Sequence, residues 1–114
     1  MSKLALAAAV LVVAAVSSAR ADDPPIIAVG WGVITQIRTG WVEDSMAVFT
    51  EAKVPTNTGC PTTDAGYATN PNDAGHKLHH AALLGAYFGA KHVQLLLQGC
   101  VYQKPRIIGV YVKD

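Results

Sequence analysis

Residues 70–100 read NPNDAGHKLHHAALLGAYFGAKHVQLLLQGC, and this stretch predicts a helix that leads into a buried strand. Asn72 or Asp73 can cap the start of the helix, because a short side-chain oxygen accepts hydrogen bonds from the free amides of the first turn. Gly89 stands where a left-handed residue commonly ends a helix. After Lys91 the hydrophobic period changes from helical to alternating, which predicts a half-buried strand. Its buried side carries Val93, Leu95 and Leu97.

The two faces of this helix differ in composition. At 100° per residue, one face carries small and apolar side chains, and we expect it to pack on a sheet: Leu78, Ala81, Ala82, Gly85, Phe88 and Gly89. The opposite face carries His76, His80, Leu83 and Tyr87. Its apolar side chains are either tolerated at the surface or used in a contact between subunits. We therefore take His80, Leu83 and Tyr87 as the candidate oligomer contact.

Two alternating stretches precede the helix and predict a hairpin. Residues 31–39, WGVITQIRT, place Val33 and Ile37 on one side, with Ile34, Gln36 and Arg38 on the other. Residues 45–53, SMAVFTEAK, predict the second strand, after a turn at residue 40.

The rest of the chain completes a small, mainly β fold. Residues 55–72 are rich in Pro, Thr, Asn, Gly and Asp, which indicates a long loop, and residues 106–112, RIIGVYV, predict the last strand. The order strand, strand, loop, helix, strand, strand predicts an α+β class with one helix. It is typical of a small barrel of the oligonucleotide/oligosaccharide-binding (OB) type, a fold that tends to bind ligands.

The first 21 residues are typical of a secretory signal peptide. Lys3 gives a basic start, residues 4–16 are apolar but too short to span a bilayer comfortably, and Ala19 and Ala21 suit signal peptidase. A retained membrane anchor is the alternative. We expect cleavage after Ala21, which leaves residues 22–114 as one secreted or periplasmic domain.

Charge argues against nucleic acid as a partner. The whole chain has nine basic and eight acidic residues, and removal of Lys3 and Arg20 leaves seven basic residues against eight acidic ones. The cleaved chain is therefore close to a net charge of −1. It has no basic cluster interleaved with aromatic residues, which a groove that follows phosphates requires.

The two cysteines, Cys60 and Cys100, predict one disulfide, because a secreted chain enters an oxidising compartment. The alternative is a pair of free or metal-bound thiols, although neither cysteine belongs to a close Cys-x-x-Cys pair.

No motif indicates catalysis. The chain has no Gly-x-Ser-x-Gly elbow, no phosphate-binding loop and no carboxylate pair with catalytic spacing. His76 and His80 are four residues apart, a spacing that two imidazoles can use on one metal, but no third ligand is fixed by spacing. We expect a protein that is not an enzyme and that has no catalytic residues, cofactor or metal.

A family resemblance starts in the predicted hairpin. Residues 33–36 (VITQ), 39–40 (TG), 42–44 (VED) and 51–53 (EAK) resemble the opening hairpin of the B subunits of subtilase cytotoxin and typhoid toxin. The resemblance implies an OB fold, a pentameric ring, recognition of sialylated host glycans and a possible catalytic A subunit as partner. Two positions depart from the family: its sialic acid-contacting serine falls at Gly30, and its strand-two cysteine falls at Phe49.

The resemblance also implies where a glycan binds. The surface near Gly30 is the expected site, where Trp31 can stack its indole on a sugar ring while Gln36 and Arg38 offer hydrogen bonds. Burial of Trp31 in the core or in an interface is the alternative for that residue.

Three other classes of protein remain open. They are a stand-alone periplasmic binding or inhibitor protein without a toxin partner, a structural envelope protein without affinity for sugars, and a metal carrier that uses His76 and His80.

Overall fold

Six strands and one helix make up the described part of the chain, which comprises residues 23–40, 43–62 and 64–114 of a computed structural model. The predicted signal peptide, residues 1–21, lies outside the described residues. The fold is mainly β with a single helix, as predicted. The elements are β1 (Ile27–Ala28), β2 (Gly32–Thr39), β3 (Met46–Thr50), β4 (Tyr67–Ala68), α1 (His76–Phe88), β5 (His92–Val101) and β6 (Lys104–Lys113).

The strands pair in a closed ring. β2 pairs with β3, β3 with β4, β4 with β6, β6 with β5, and β5 with β2, while β1 pairs with β5. Only the β4–β6 pair is parallel among these pairings. This connectivity, with α1 between β4 and β5, agrees with the OB-type order that the sequence predicts. The short strand β4 lies inside the predicted long loop and closes the ring.

A register shift changes which side chains of β2 face the core. In β2, the pairing shifts between Ile34 and Gln36, so one extra residue is accommodated there. Ile34 is consequently buried and Ile37 packs against the same core, three residues further on. The predicted strict alternation, which placed Ile34 opposite Ile37, is wrong for this reason. β5, by contrast, buries Val93, Leu95 and Leu97 as predicted.

The two ends of α1 differ from the prediction. No side chain caps the N-terminus of the helix. Asn72 instead donates its backbone N–H to Asn70, and the carboxylate of Asp73 forms an ion pair with Arg106 at 2.9 Å. The left-handed residue that follows the helix is Ala90, with φ of 55°, and not the predicted Gly89.

The orientation of α1 is the reverse of the predicted one. Leu78 and Phe88, placed on the predicted core face, are 75% and 80% exposed. Leu83 and Ala86 are buried instead, at 0% and 2% exposure, where α1 contacts β2, β5 and β6. Leu83 is therefore a core residue, and its prediction as an oligomer contact is wrong. Tyr87, in the same predicted contact, is 38% exposed.

The predicted disulfide is present. Cys60 and Cys100 are bonded, with 5.7 Å between their Cα atoms and a sequence separation of 40. The bond ties the long loop to β5, and a loop of this length corresponds to about 4 kcal/mol of stabilisation in the chain-entropy model. A disulfide is compatible with an oxidising compartment. Among the described residues the single helix has 13 residues, and no helix there is long and apolar enough to span a membrane.

Candidate ligand-binding surfaces

The structure divides the four predicted ligand residues into two groups. Gly30 and Trp31 precede β2, whereas Gln36 and Arg38 lie towards its end. A strand rises about 3.3 Å per residue, so Trp31 and Arg38 are about 23 Å apart along the strand. One sugar ring does not reach both groups, and each group is therefore described with the neighbours that the fold gives it.

Trp31 lies on an outer sheet surface with a second aromatic residue. β1 and β2 pair in succession with β5, and the first pair of β2 is Gly32 with Val93. Trp31 directly precedes this pair, so continuation of the register brings it beside Gln94. On the other edge of β5, Tyr111 pairs with Gln94. Trp31 and Tyr111 therefore flank Gln94, about 10 Å apart across two strand spacings. Their side chains are 38% and 51% exposed.

Lys113 covers part of this surface. Its ammonium nitrogen lies 4.2 Å from the centroid of the Trp31 ring, a cation–π contact. At an exposed position such a contact is worth about 0.5–1 kcal/mol, so a ligand displaces the ammonium at low cost. We call the surface formed by Gly30, Trp31, Gln94, Tyr111 and Lys113 the aromatic face. Gln94, Tyr111 and Lys113 were not predicted as ligand residues, since only the strand register brings them next to Trp31.

Arg38 lines a cavity at the other end of β2. The cavity has a volume of about 460 Å³ and lies where the C-terminal end of β2 approaches the β5–β6 turn. Its lining combines apolar and polar side chains, two of which are cationic. The lining residues are Arg38, Thr39, Gly40, Ser45, Ala47, Ala65, Ala68, Tyr102 and Lys104. Gln36 is not among them.

The two connections beside this cavity are joined by a hydrogen bond. Tyr102 and Gln103 both have positive φ, 52° and 66°, which closes the β5–β6 hairpin tightly. The Tyr102 hydroxyl donates to a carboxylate oxygen of Glu43 at 2.6 Å. This hydrogen bond raises the pKa of Tyr102, because ionisation of the phenol would remove the donor and leave two anions in contact. The cavity therefore has one wall fixed by a contact between distant segments.

The histidines of α1 serve the attachment of the helix. His80 Nε2 lies 2.7 Å from the hydroxyl of Thr69, and His76 Nε2 lies 3.2 Å from a carboxylate oxygen of Asp44. Burial lowers the pKa of His80, and the neighbouring His76 and His79 lower it further against the opposing effect of Asp44. Within the described ranges, no three side chains of His, Cys, Asp or Glu are grouped so that they could hold a metal ion.

No family model, no curated protein and no solved structure matches this chain. The features of the chain that bear on its function are therefore the aromatic face, the Arg38 cavity and the hairpin sequence.

Proposed function

We propose that this chain is a secreted, non-enzymatic binding protein that recognises carbohydrate on its aromatic face, as the toxin B subunits that its first hairpin resembles recognise glycans. The observation that carries the proposal is the placement of Trp31 and Tyr111, both partly exposed, on either side of Gln94. Sugar rings present apolar C–H faces with hydroxyl groups around the rim. A pair of aromatic side chains with an amide between them matches both features.

Each residue of the aromatic face has a role in this proposal. Trp31 and Tyr111 stack on sugar rings, and the Gln94 amide both donates to and accepts from hydroxyl groups. Lys113 moves from the indole and donates to a hydroxyl or carboxylate oxygen of the glycan. Gly30 stands where the toxin subunits have a serine. A Cβ atom built there meets only the Ala52 side chain, at 4.0 Å, so the surface beside Trp31 is open to a ligand.

A pentameric ring with a catalytic A subunit as partner belongs to the same proposal. The inward orientation of α1 moves the candidate subunit contact to the outer helix face, defined here by Leu78, Leu84 and Phe88, with Tyr87 at its edge. These side chains are 38–80% exposed. Exposed apolar residues grouped on one helix face favour a contact with another chain.

Glycan binding is tested by comparing matched aromatic variants on a glycan array and then by titration of the best ligand. We expect Trp31→Ala and Tyr111→Ala each to weaken binding by about tenfold or more, which corresponds to about 1.4 kcal/mol per lost stacking contact. Val54→Ala is the control, because it removes a side chain that is 39% exposed and lies outside both the aromatic face and the helix. Equal binding by wild type and Trp31→Ala, with unchanged thermal unfolding, would refute the aromatic face as the site.

Assembly is tested by light scattering of the cleaved protein across a dilution series. The mass of a pentamer, lost in Phe88→Glu, would support the toxin-type ring. A monomer at every concentration would refute the ring and favour the alternative, a stand-alone periplasmic binding or inhibitor protein. The glycan result does not depend on this outcome, because the aromatic face is complete within one chain.

A further inference from the structure

We propose that the Arg38 cavity is a second ligand site, which binds a small organic anion made of an apolar body and one carboxylate or phosphate group. The proposal does not depend on carbohydrate binding, because the cavity and the aromatic face lie at opposite ends of β2. The anionic group binds at Arg38, and the apolar body lies against the alanine side chains of the lining.

The size and the lining of the cavity select this class of ligand. A volume of about 460 Å³ lies within the range of about 300–1,000 Å³ that is usual for small-molecule sites. Three of the lining residues are Ala47, Ala65 and Ala68, whose methyl side chains offer no hydrogen bond to a ligand. A fully polar ligand would lose its hydration there without compensation, whereas an apolar body gains from burial.

The charges of the lining select an anion. Arg38 and Lys104 are both lining residues, and no acidic side chain lines the cavity within the described ranges. Glu43 lies outside the lining, where it accepts the hydrogen bond of Tyr102. The positive charge of the Arg38 guanidinium therefore favours an anionic ligand group over a neutral one.

A contact with an aromatic ring positions the Arg38 guanidinium for binding an anion. Its guanidinium carbon lies 4.9 Å from the centroid of the Phe49 ring, so the planar group is supported by a neighbouring strand. None of the ion pairs in the described part of the chain involves Arg38. A supported guanidinium presents two parallel N–H donors, which is the arrangement that binds a carboxylate or phosphate in a bidentate way. The Ser45 hydroxyl, also in the lining, adds a further donor.

The test is a titration of the cleaved protein with four small probes, followed by backbone amide NMR. Benzoate and phenyl phosphate carry the two anionic groups on one apolar ring. Benzamide keeps the ring without the charge, and inorganic phosphate keeps the charge without the ring. We expect benzoate or phenyl phosphate to shift the resonances of Gly40, Ser45 and Ala65 at millimolar concentration, and the stronger of the two identifies the anionic group.

Three variants test whether binding depends on the cavity or on the general surface charge of the protein. Arg38→Gln should weaken binding of the aromatic anion at least tenfold, and Ala47→Leu should weaken it similarly by filling part of the cavity while Arg38 stays in place. Lys77→Gln, on the exposed side of α1, is the charge-matched control and should bind as the wild type does. Unchanged affinity in Arg38→Gln would overturn the proposal. Equal affinity for benzamide and benzoate would also overturn it, as would an affinity for inorganic phosphate equal to that for phenyl phosphate. The absence of any resonance shift with either aromatic anion would overturn it too.

Discussion

The two faces of α1 are both apolar in sequence, yet only one of them is buried. The inner helix face carries His76, His80, Leu83 and Ala86, and the outer helix face carries Leu78 and Phe88 among others. Leu83 is fully buried, whereas Phe88 is 80% exposed. The number of apolar residues therefore does not decide which face of this helix meets the ring of strands.

Polar partners account for the choice. The inner face places His80 against the hydroxyl of Thr69 at 2.7 Å and His76 against the carboxylate of Asp44 at 3.2 Å. Thr69 lies 11 residues before His80, and Asp44 lies 32 residues before His76, so both partners lie outside the helix. Rotation of the helix by half a turn would bury Leu78 and Phe88 but would remove the imidazoles from Thr69 and Asp44. The buried hydroxyl of Thr69 would keep only its contacts with the Met46 backbone, and the loss of a buried hydrogen bond is costly.

The largest effect should come from truncation of the inner face. Leu83→Ala should lower the free energy of unfolding by about 2–5 kcal/mol, because it leaves a cavity in a closely packed core. Leu78→Ala, the matched truncation on the outer face, should change it by less than about 0.5 kcal/mol. Urea unfolding of the two variants measures both values. Similar losses would show that the two faces do not differ in burial.

The next effect should come from the polar contact that orients the helix. Thr69→Val replaces a hydroxyl with a methyl group of similar size at a position with 0% exposure. It removes the acceptor for the Met46 backbone N–H, at 2.9 Å, and the partner of His80. We expect a loss of about 1–3 kcal/mol in the free energy of unfolding.

Thr35→Val is the matched control for this variant. The Thr35 hydroxyl also bonds to backbone, donating to the Phe49 carbonyl at 3.2 Å, but it is exposed and water can replace it. Urea unfolding should show a clearly smaller loss than in Thr69→Val. If the two losses are equal, the buried contact does not determine the orientation of α1.

The elements that the sequence predicts well are those with strong local patterns. The alternation in β5 identifies its buried side, the two cysteines identify the disulfide, and the order of strands and helix identifies the class. The orientation of α1 is not predictable in this way, because it depends on Thr69 and Asp44, which reach the helix only in the folded chain. The register shift in β2 has the same origin, since it is defined by the partner strand.

The candidate ligand surfaces show the same limit. Trp31 and Arg38 were both found from the sequence, but as one site. The distance between Trp31 and Arg38 follows from the length of β2. The residues that surround each of them depend on how the strands pair in the folded chain. Tyr111 meets Trp31 only because β5 lies between their strands, and the cavity beside Arg38 forms only where two distant connections meet.

The smallest effect should be the loss of stability at mildly acidic pH. It also distinguishes partly buried histidines from one placed on the outer helix face. Burial lowers the pKa of both His79 and His80 from the usual value near 6.5. Asp73 opposes this effect at His79, and Asp44 opposes it at His80.

The folded state therefore binds fewer protons than the unfolded state once the pH falls below about 6.5, and its stability decreases as the pH falls further. Urea unfolding at intervals between about pH 7 and pH 5 should show this decrease, and the double variant His79→Gln/His80→Gln should reduce the slope. Leu78→His is the control, since an imidazole on the exposed outer face has the same affinity for protons in both states and leaves the slope unchanged. An identical slope in the double variant would mean that His79 and His80 have the same affinity for protons in the folded and unfolded states, and the distinction between the two faces would then rest on Leu83 and Thr69 alone.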